Sequence, residues 1–357
     1  MKKTKFISGG SEHITSLIKA AAECGSRTAI VTGCYEIESP IRIPSDFTLI
    51  LDNCHLRLAD GVFSNIFLNE HFGTEIGKTL EGRDRNIKII GRGKAILDGG
   101  IYNGLSEKTQ MKDGFPAVWN NNLILFSNVD GFEIRRLYAC EQRWWAFCFV
   151  FCSHGRISDV EFCSNDRGIS ADGTMYRGLK RNSYAEVCVK NSDGIDLRVG
   201  CHDIVLENIS GFTEDDTVAL TALSWHLENY CAVEGLATDI YNVEIRNVSS
   251  SAYCSNVRIL NQGEHKVHDV YIEGVYDISE NSNHMDRGGC GVRICDSSHM
   301  YGSRLSTADE TYNITVRNVR SRAVHSLSLS GAIGNLTIEN VEAFDGGGEM
   351  EDFRVYE

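Results

Sequence analysis

Proline is nearly absent from this chain, with 3 in 357 residues. A backbone with so few prolines keeps its N–H donors, which suits strands paired on both sides. Positive charge is also short: 35 Lys and Arg face 49 Asp and Glu, for a net charge of −14. That balance argues against nucleic acid or anionic membrane as the main partner. It leaves room for an acidic sugar held by a local arginine cluster. No window approaches the roughly 18 apolar residues of a membrane span. The start, MKKTKFISGGSEHI, carries lysines but no apolar run of signal-peptide length. No CxxC pair occurs among the 13 cysteines, so no metal site is expected. A Gly-rich phosphate loop, HExxH and GxSxG are missing as well, and no cofactor is expected. The cysteines lie in strand-like text such as WWAFCFVFC and AEVCVK, where free Cys acts as a small hydrophobe. Without an export signal, reduced thiols in the cytoplasm are the expectation.

What the chain does have is glycine, 34 residues of it, and a recurring phrase. Apolar, any, apolar, any, small-polar, apolar appears as FEIRRL at 132, IVLENI at 204, VEIRNV at 243, VYIEGV at 270, ITVRNV at 314 and LTIENV at 336. The starts read as one, two or three units of about 22–27 residues, some stretched by loops. A fixed period of this size marks a solenoid. With β-branched alternation and almost no helix, the solenoid should be an all-β parallel β-helix of single-strand coils. A leucine-rich repeat has a similar period, but its regular Leu frame is missing. The repeating Asn suits a tight left-handed turn and can ladder onto the Asn of the next coil. Only TSLIKAAAEC (15–24) reads as an amphipathic helix, with Leu17, Ile18, Ala21 and Ala22 on one face. It is the expected N-terminal cap of a single domain over 1–357. Residues 340–357, with five acids in 342–352, are expected to be a C-terminal cap and solvated tail. β-Helices often associate side by side, so a homo-oligomer stays open.

Coil spacing gives the acids meaning. Asp193 lies in KNSDGIDL; Asp215 and Asp216, in FTEDDTVAL, follow 22 and 23 residues later. That is one coil, so the three carboxylates should share one patch. Mutual repulsion raises at least one pKa. A protonated acid beside ionised ones is what acid/base cleavage of a glycosidic bond needs. Each stretch alone is ordinary turn chemistry; their one-coil separation is the signal.

At these residues the chain resembles glycoside hydrolase family 28, the polygalacturonases and their relatives in the pectin-lyase-like superfamily. NSDGIDL (191–197) and TEDDTVAL (213–220) are similar to that family's Asn-Thr-Asp-Gly and Gly-Asp-Asp, one coil apart on a right-handed parallel β-helix. NIKIIGRGKAILDGG (86–100), the Trp-containing stretch 144–162 and GVRICDSS (291–298) resemble other coils of the family. The resemblance implies an inverting hydrolysis of an oligosaccharide, uronate-containing or related. Asp215 would be the general acid, and Asp193 and Asp216 would share the attacking water. Arg293 would bind the sugar. The chain departs from the pattern at three places. Glu214 stands where the family has Gly, Cys295 where it has Lys, and 252–260 lacks the family's His, with Arg258 the nearest cation. A neutral or differently substituted sugar therefore stands beside galacturonate as the substrate. About 17 extra residues, 224–240, would wall one end of the cleft and favour exo-action.

Trp225 and His226 in that insertion are candidates to stack on or donate to the sugar, as is Asp172 in the acidic turn SNDRGISADG, and Glu214 joins them by position. Trp144 and Trp145 are adjacent, so one should face the core and the other outward. A polysaccharide lyase, an intramolecular glycosyl or fructosyl transferase and a non-catalytic sugar-binding β-helix are the alternatives to a glycosidase.

Overall fold

The computed structural model describes residues 5–62, 64–100, 122–142, 144–167, 192–281, 286–296, 301 and 304–355. Those residues form a right-handed parallel β-helix of two ten-stranded parallel sheets. Each coil gives one strand to each sheet, so chain order is stacking order. One sheet is made of long strands such as His202–Thr213 and Ile240–Ala252. The other is made of short ones such as Ile195–Arg198, Val218–Ala222 and Ser255–Asn261.

Alternation builds the core. In His202–Thr213, Ile204, Leu206 and Ile209 are buried while Val205 and Glu207 are not. Equivalent residues stack in rows through the coils, as Val218, Val257, Val292 and Leu327 do. Each such side chain contributes roughly 1.5–3 kcal/mol by leaving water. The long strands bend at a left-handed residue, and here the recurring Asn is found. Asn208, Asn247, Asn318 and Asn340 all have φ between 54 and 57°. Their amides ladder: Asn247 Nδ2 donates to Asn208 Oδ1 at 3.2 Å, and Asn340 to Asn318 at 3.0 Å. A second ladder links strand starts, Asn335 to Asn313 at 2.6 Å and Asn313 to Asp269 at 2.9 Å.

The structure revises three expectations. The intervals of 39 and 44 residues are each one coil with an inserted loop, because Val243 pairs directly with Ile204 and Ile314 with Val270. The capping helix is Gly10–Glu23, longer than 15–24, and it buries Ile14, Ile18 and Ala21 against the first coil. The acidic C-terminal stretch contains a further strand, Glu351–Arg354, paired with His325–Gly331.

Neither Trp144 nor Trp145 enters the main core. Both are buried outside the short-strand sheet, with Leu125, Cys148, Phe151 and Leu227. The insertion lies over this face. Its short helix His226–Tyr230 buries Leu227, and the Tyr230 hydroxyl donates to the Gly73 carbonyl at 3.3 Å. That explains the unbroken apolar run WWAFCFVFC: its strand is covered on both faces.

Candidate active site

FTEDDTVAL does not start a strand at its acids. The long strand ends at Thr213, the short one begins at Val218, and Glu214–Thr217 is the corner between sheets. NSDG occupies the same corner one coil earlier, since Ile195 pairs with Val218. The corners are bolted together. Gly194 N–H donates to Asp216 O at 3.0 Å, and Asp216 N–H donates to Asp193 Oδ1 at 3.1 Å. Gly194 must be glycine: a Cβ there would lie 2.5 Å from Thr217 O.

This places Asp193, Asp215 and Asp216 together, with one oxygen of each within 4.8 Å of the others. Asp193 is 5% and Asp216 2% exposed. Burial, reinforced by the charges of Asp215, Asp196 and Asp216, pushes the Asp193 carboxyl well above the usual range. Asp196 lies within hydrogen-bond reach of it. Asp196 is itself fully buried and raised by burial, and its Oδ2 accepts from no N–H or hydroxyl donor among the described residues. A proton on Asp193, donated to Asp196, satisfies both acids.

Two arginines frame the acids. Arg258 Nη1 donates to Asp216 Oδ2 at 3.3 Å and its Nη2 to Asp296 Oδ2 at 2.7 Å. Arg198 is buried over the Trp145 ring, 3.9 Å from its centroid, and bonds Asp196 at 3.1 Å and Glu228 of the inserted helix. A narrow cavity of about 50 Å³ lies above, lined by Trp145, the four aspartates, Arg198, Arg258, Trp225 and Tyr301 among others. That is room for a few waters. Trp225 and Tyr301 stand 5.6 Å apart, centroid to centroid, at its mouth. On the C-terminal side the same face continues as an open groove of about 350 Å³, lined by Cys254, Arg293, His325, Ser328, Glu351 and Phe353 among others. On the N-terminal side the insertion covers it.

The expected site residues divide. Asp193, Asp215, Asp216, Arg258 and Trp225 line the cavity. Arg293 lines the groove and is tied to Asp296. Glu214 points away from the cavity: it is fully buried and accepts from Asn165 Nδ2 at 2.8 Å, stitching its corner to the coil before. His226 is exposed on the inserted helix and does not line the cavity. Asp172 lies outside the described residues. Sequence reasoning misses Asp196, Arg198, Glu228 and Asp296. Asp196 stands within the quoted NSDGIDL, three residues from Asp193, but buried partners that answer other buried charges leave no spacing signal.

No family model matches the chain, and no curated protein matches it. Among solved structures it is similar to a 1,3-alpha-1,4-beta-D-galactose-4-sulfate-3,6-anhydro-D-galactose-2-sulfate 4 galactohydrolase, at 12% identity and a TM-score of 0.64, covering 96% of this chain and 86% of that one. It is also similar to an exopolygalacturonase from Thermotoga maritima, at 10% identity and a TM-score of 0.52, covering 95% and 89%. A surface adhesin of Streptococcus pneumoniae, PfbA, matches at 11% identity and a TM-score of 0.51, covering 96% and 89%. Identities this low establish the parallel β-helix architecture that these proteins share.

Proposed function

We propose that the protein is a glycoside hydrolase acting on an oligosaccharide, with Asp215 as general acid and Asp216 as general base. The observation that carries this is the meeting of three carboxyls from two coils in a cavity walled by Trp145, Trp225 and Tyr301. Asp215 protonates the glycosidic oxygen as the C1–O bond breaks. A water adds to C1 and gives its proton to Asp216, which Arg258 orients. A protonated Asp193 donates to Asp196. It therefore orders the corner rather than sharing the base's work, as the resemblance implies it would.

Four aspartates face two arginines in the cavity, and both arginines already bond carboxylates. We therefore infer a neutral ring at the cleaved bond, lying at the mouth of the cavity between Trp225 and Tyr301, with the cavity itself holding water. Cys254 lies against the Asp215 carboxyl and opens the groove, so the leaving part of the substrate runs toward Ser328 and Phe353. The insertion blocks the other direction, which supports exo-action. All described cysteines are free, in keeping with a reducing cytoplasm.

The close spacing of the carboxyls supports a second reading, retention through a covalent intermediate, because inverting pairs usually stand farther apart. Incubation with aryl glycosides and with pectin- and carrageenan-derived oligosaccharides, followed by NMR of the first anomer released, tests activity and separates the two. Absence of any hydrolysis across the panel counts against a glycosidase.

A further inference from the structure

A second cavity lies away from the carboxylates. It is a groove of about 1110 Å³ on the outer face of the long-strand sheet. Its floor is a row in register across five strands: His55, Ile96, Tyr138, Glu161 and Ser210. At about 4.8 Å per strand the row is roughly 19 Å long. One wall is rigid: Arg167 donates to Asp98 at 2.8 and 3.3 Å, and His55 lies 3.1 Å from the same buried carboxylate.

The other wall is the left-handed turn of the Asn ladder, and here one residue breaks the pattern. Asp159 and Asn208 hold their ladder positions at φ 57 and 56°. In the neighbouring coil the position belongs to Arg136, exposed and at φ 59°. Asn and Asp take that backbone readily, whereas a long side chain there is strained. Strain kept at a groove rim points to use. Lys94 is exposed on the same wall. Neither side chain has an ion-pair or hydrogen-bond partner among the described residues. Two unpaired cations thus overhang a half-buried tyrosine, the only Lys or Arg side chains of the described groove lining besides Arg167, facing Asp159, Glu161 and Asp166 on the same lining.

We propose that this groove is a second, non-catalytic site for an acidic oligosaccharide, its carboxylate or sulfate groups on Arg136 and Lys94 and a sugar face on Tyr138. Tyr138 supplies a flat surface with a polar tip, and Glu161 and Asn208 offer hydrogen bonds to hydroxyls. Arginine suits either anion because its fork can donate two hydrogen bonds to two of the anion's oxygens. The groove lies on the other sheet from the carboxyl cluster, so occupancy does not require cleavage.

The test is isothermal titration of the full chain carrying Asp215→Asn, with trigalacturonate and a carrageenan tetrasaccharide as probes, at low and high salt. At least one probe should bind, more weakly at high salt. The double variant Arg136→Gln/Lys94→Gln should weaken binding at least fivefold, and Tyr138→Ala comparably. Arg136→Asn should weaken binding while raising the melting temperature, because Asn completes the ladder and relieves the backbone; a merely structural arginine would not separate the two. No binding of either probe at millimolar concentration, or equal binding by the variants, overturns the proposal.

Discussion

Glu228 and Arg198 are 30 residues apart in sequence and bonded in the interior, each 2% exposed. Through this pair the inserted helix is joined to the acid cluster, because Arg198 also bonds Asp196, and Asp196 accepts the hydrogen bond of a protonated Asp193. Glu228 further accepts from the Trp225 N–H at 3.0 Å, so the same carboxylate sets the mouth of the cavity.

Removing one partner of such a pair leaves a buried charge uncompensated. Glu228→Ala should destabilise the fold by about 3–5 kcal/mol and lower kcat, readable by chemical denaturation and by turnover. Glu228→Gln should recover part of the stability, since its one amide oxygen can still accept from Arg198 or from the Trp225 N–H, though not from both.

Asp193 gives a pH signature. Its carboxyl is raised in the folded state, so the folded protein binds an extra proton there. Stability should fall as pH rises from about 4 through the folded value and then level off. Asp193→Asn supplies to Asp196 Oδ2, at every pH, the donor that the wild type supplies only while Asp193 is protonated. The variant should match wild type near pH 4 and gain on it toward neutrality, by about 1.4 kcal/mol per pH unit across that interval. Melting temperatures from pH 4 to 8 check this.

Asp98 behaves in the opposite sense. Burial alone would raise it, but hydrogen bonds from His55 and Arg167 win and hold it at about 2. Its contribution, about 2 kcal/mol, is present above pH 4 and lost as pH falls toward 2. Asp98→Asn should flatten that acid limb in a pH-jump unfolding series.

How much of this was written in the sequence depends on distance along the chain. The coil period and the Asn turns were legible because both recur in local phrases. The one-coil arithmetic brought Asp193 to Asp215 and Asp216 for the same reason. Glu228 and Asp296 were not legible, because they answer buried arginines across insertions of no fixed length. Glu214 looked like a site residue because it stands beside Asp215 and Asp216. It is turned toward Asn165 because neighbouring residues at a corner face different ways.

The open groove predicts a length preference. Ser328→Trp, on the groove floor, should lower kcat/KM on oligosaccharides of three or more residues at least tenfold relative to kcat/KM on an aryl monoglycoside. An unchanged ratio would place the leaving group elsewhere.

The central claim is that Asp215 gives its proton to the leaving oxygen. It is tested by Asp215→Asn on the best substrate of the glycoside panel, with circular dichroism confirming the fold. The account predicts a loss of kcat of about 10²–10⁴-fold, smaller on an aryl glycoside whose leaving group needs no proton. Hydrolysis by Asp215→Asn at the wild-type rate on a substrate with a poor leaving group would contradict it.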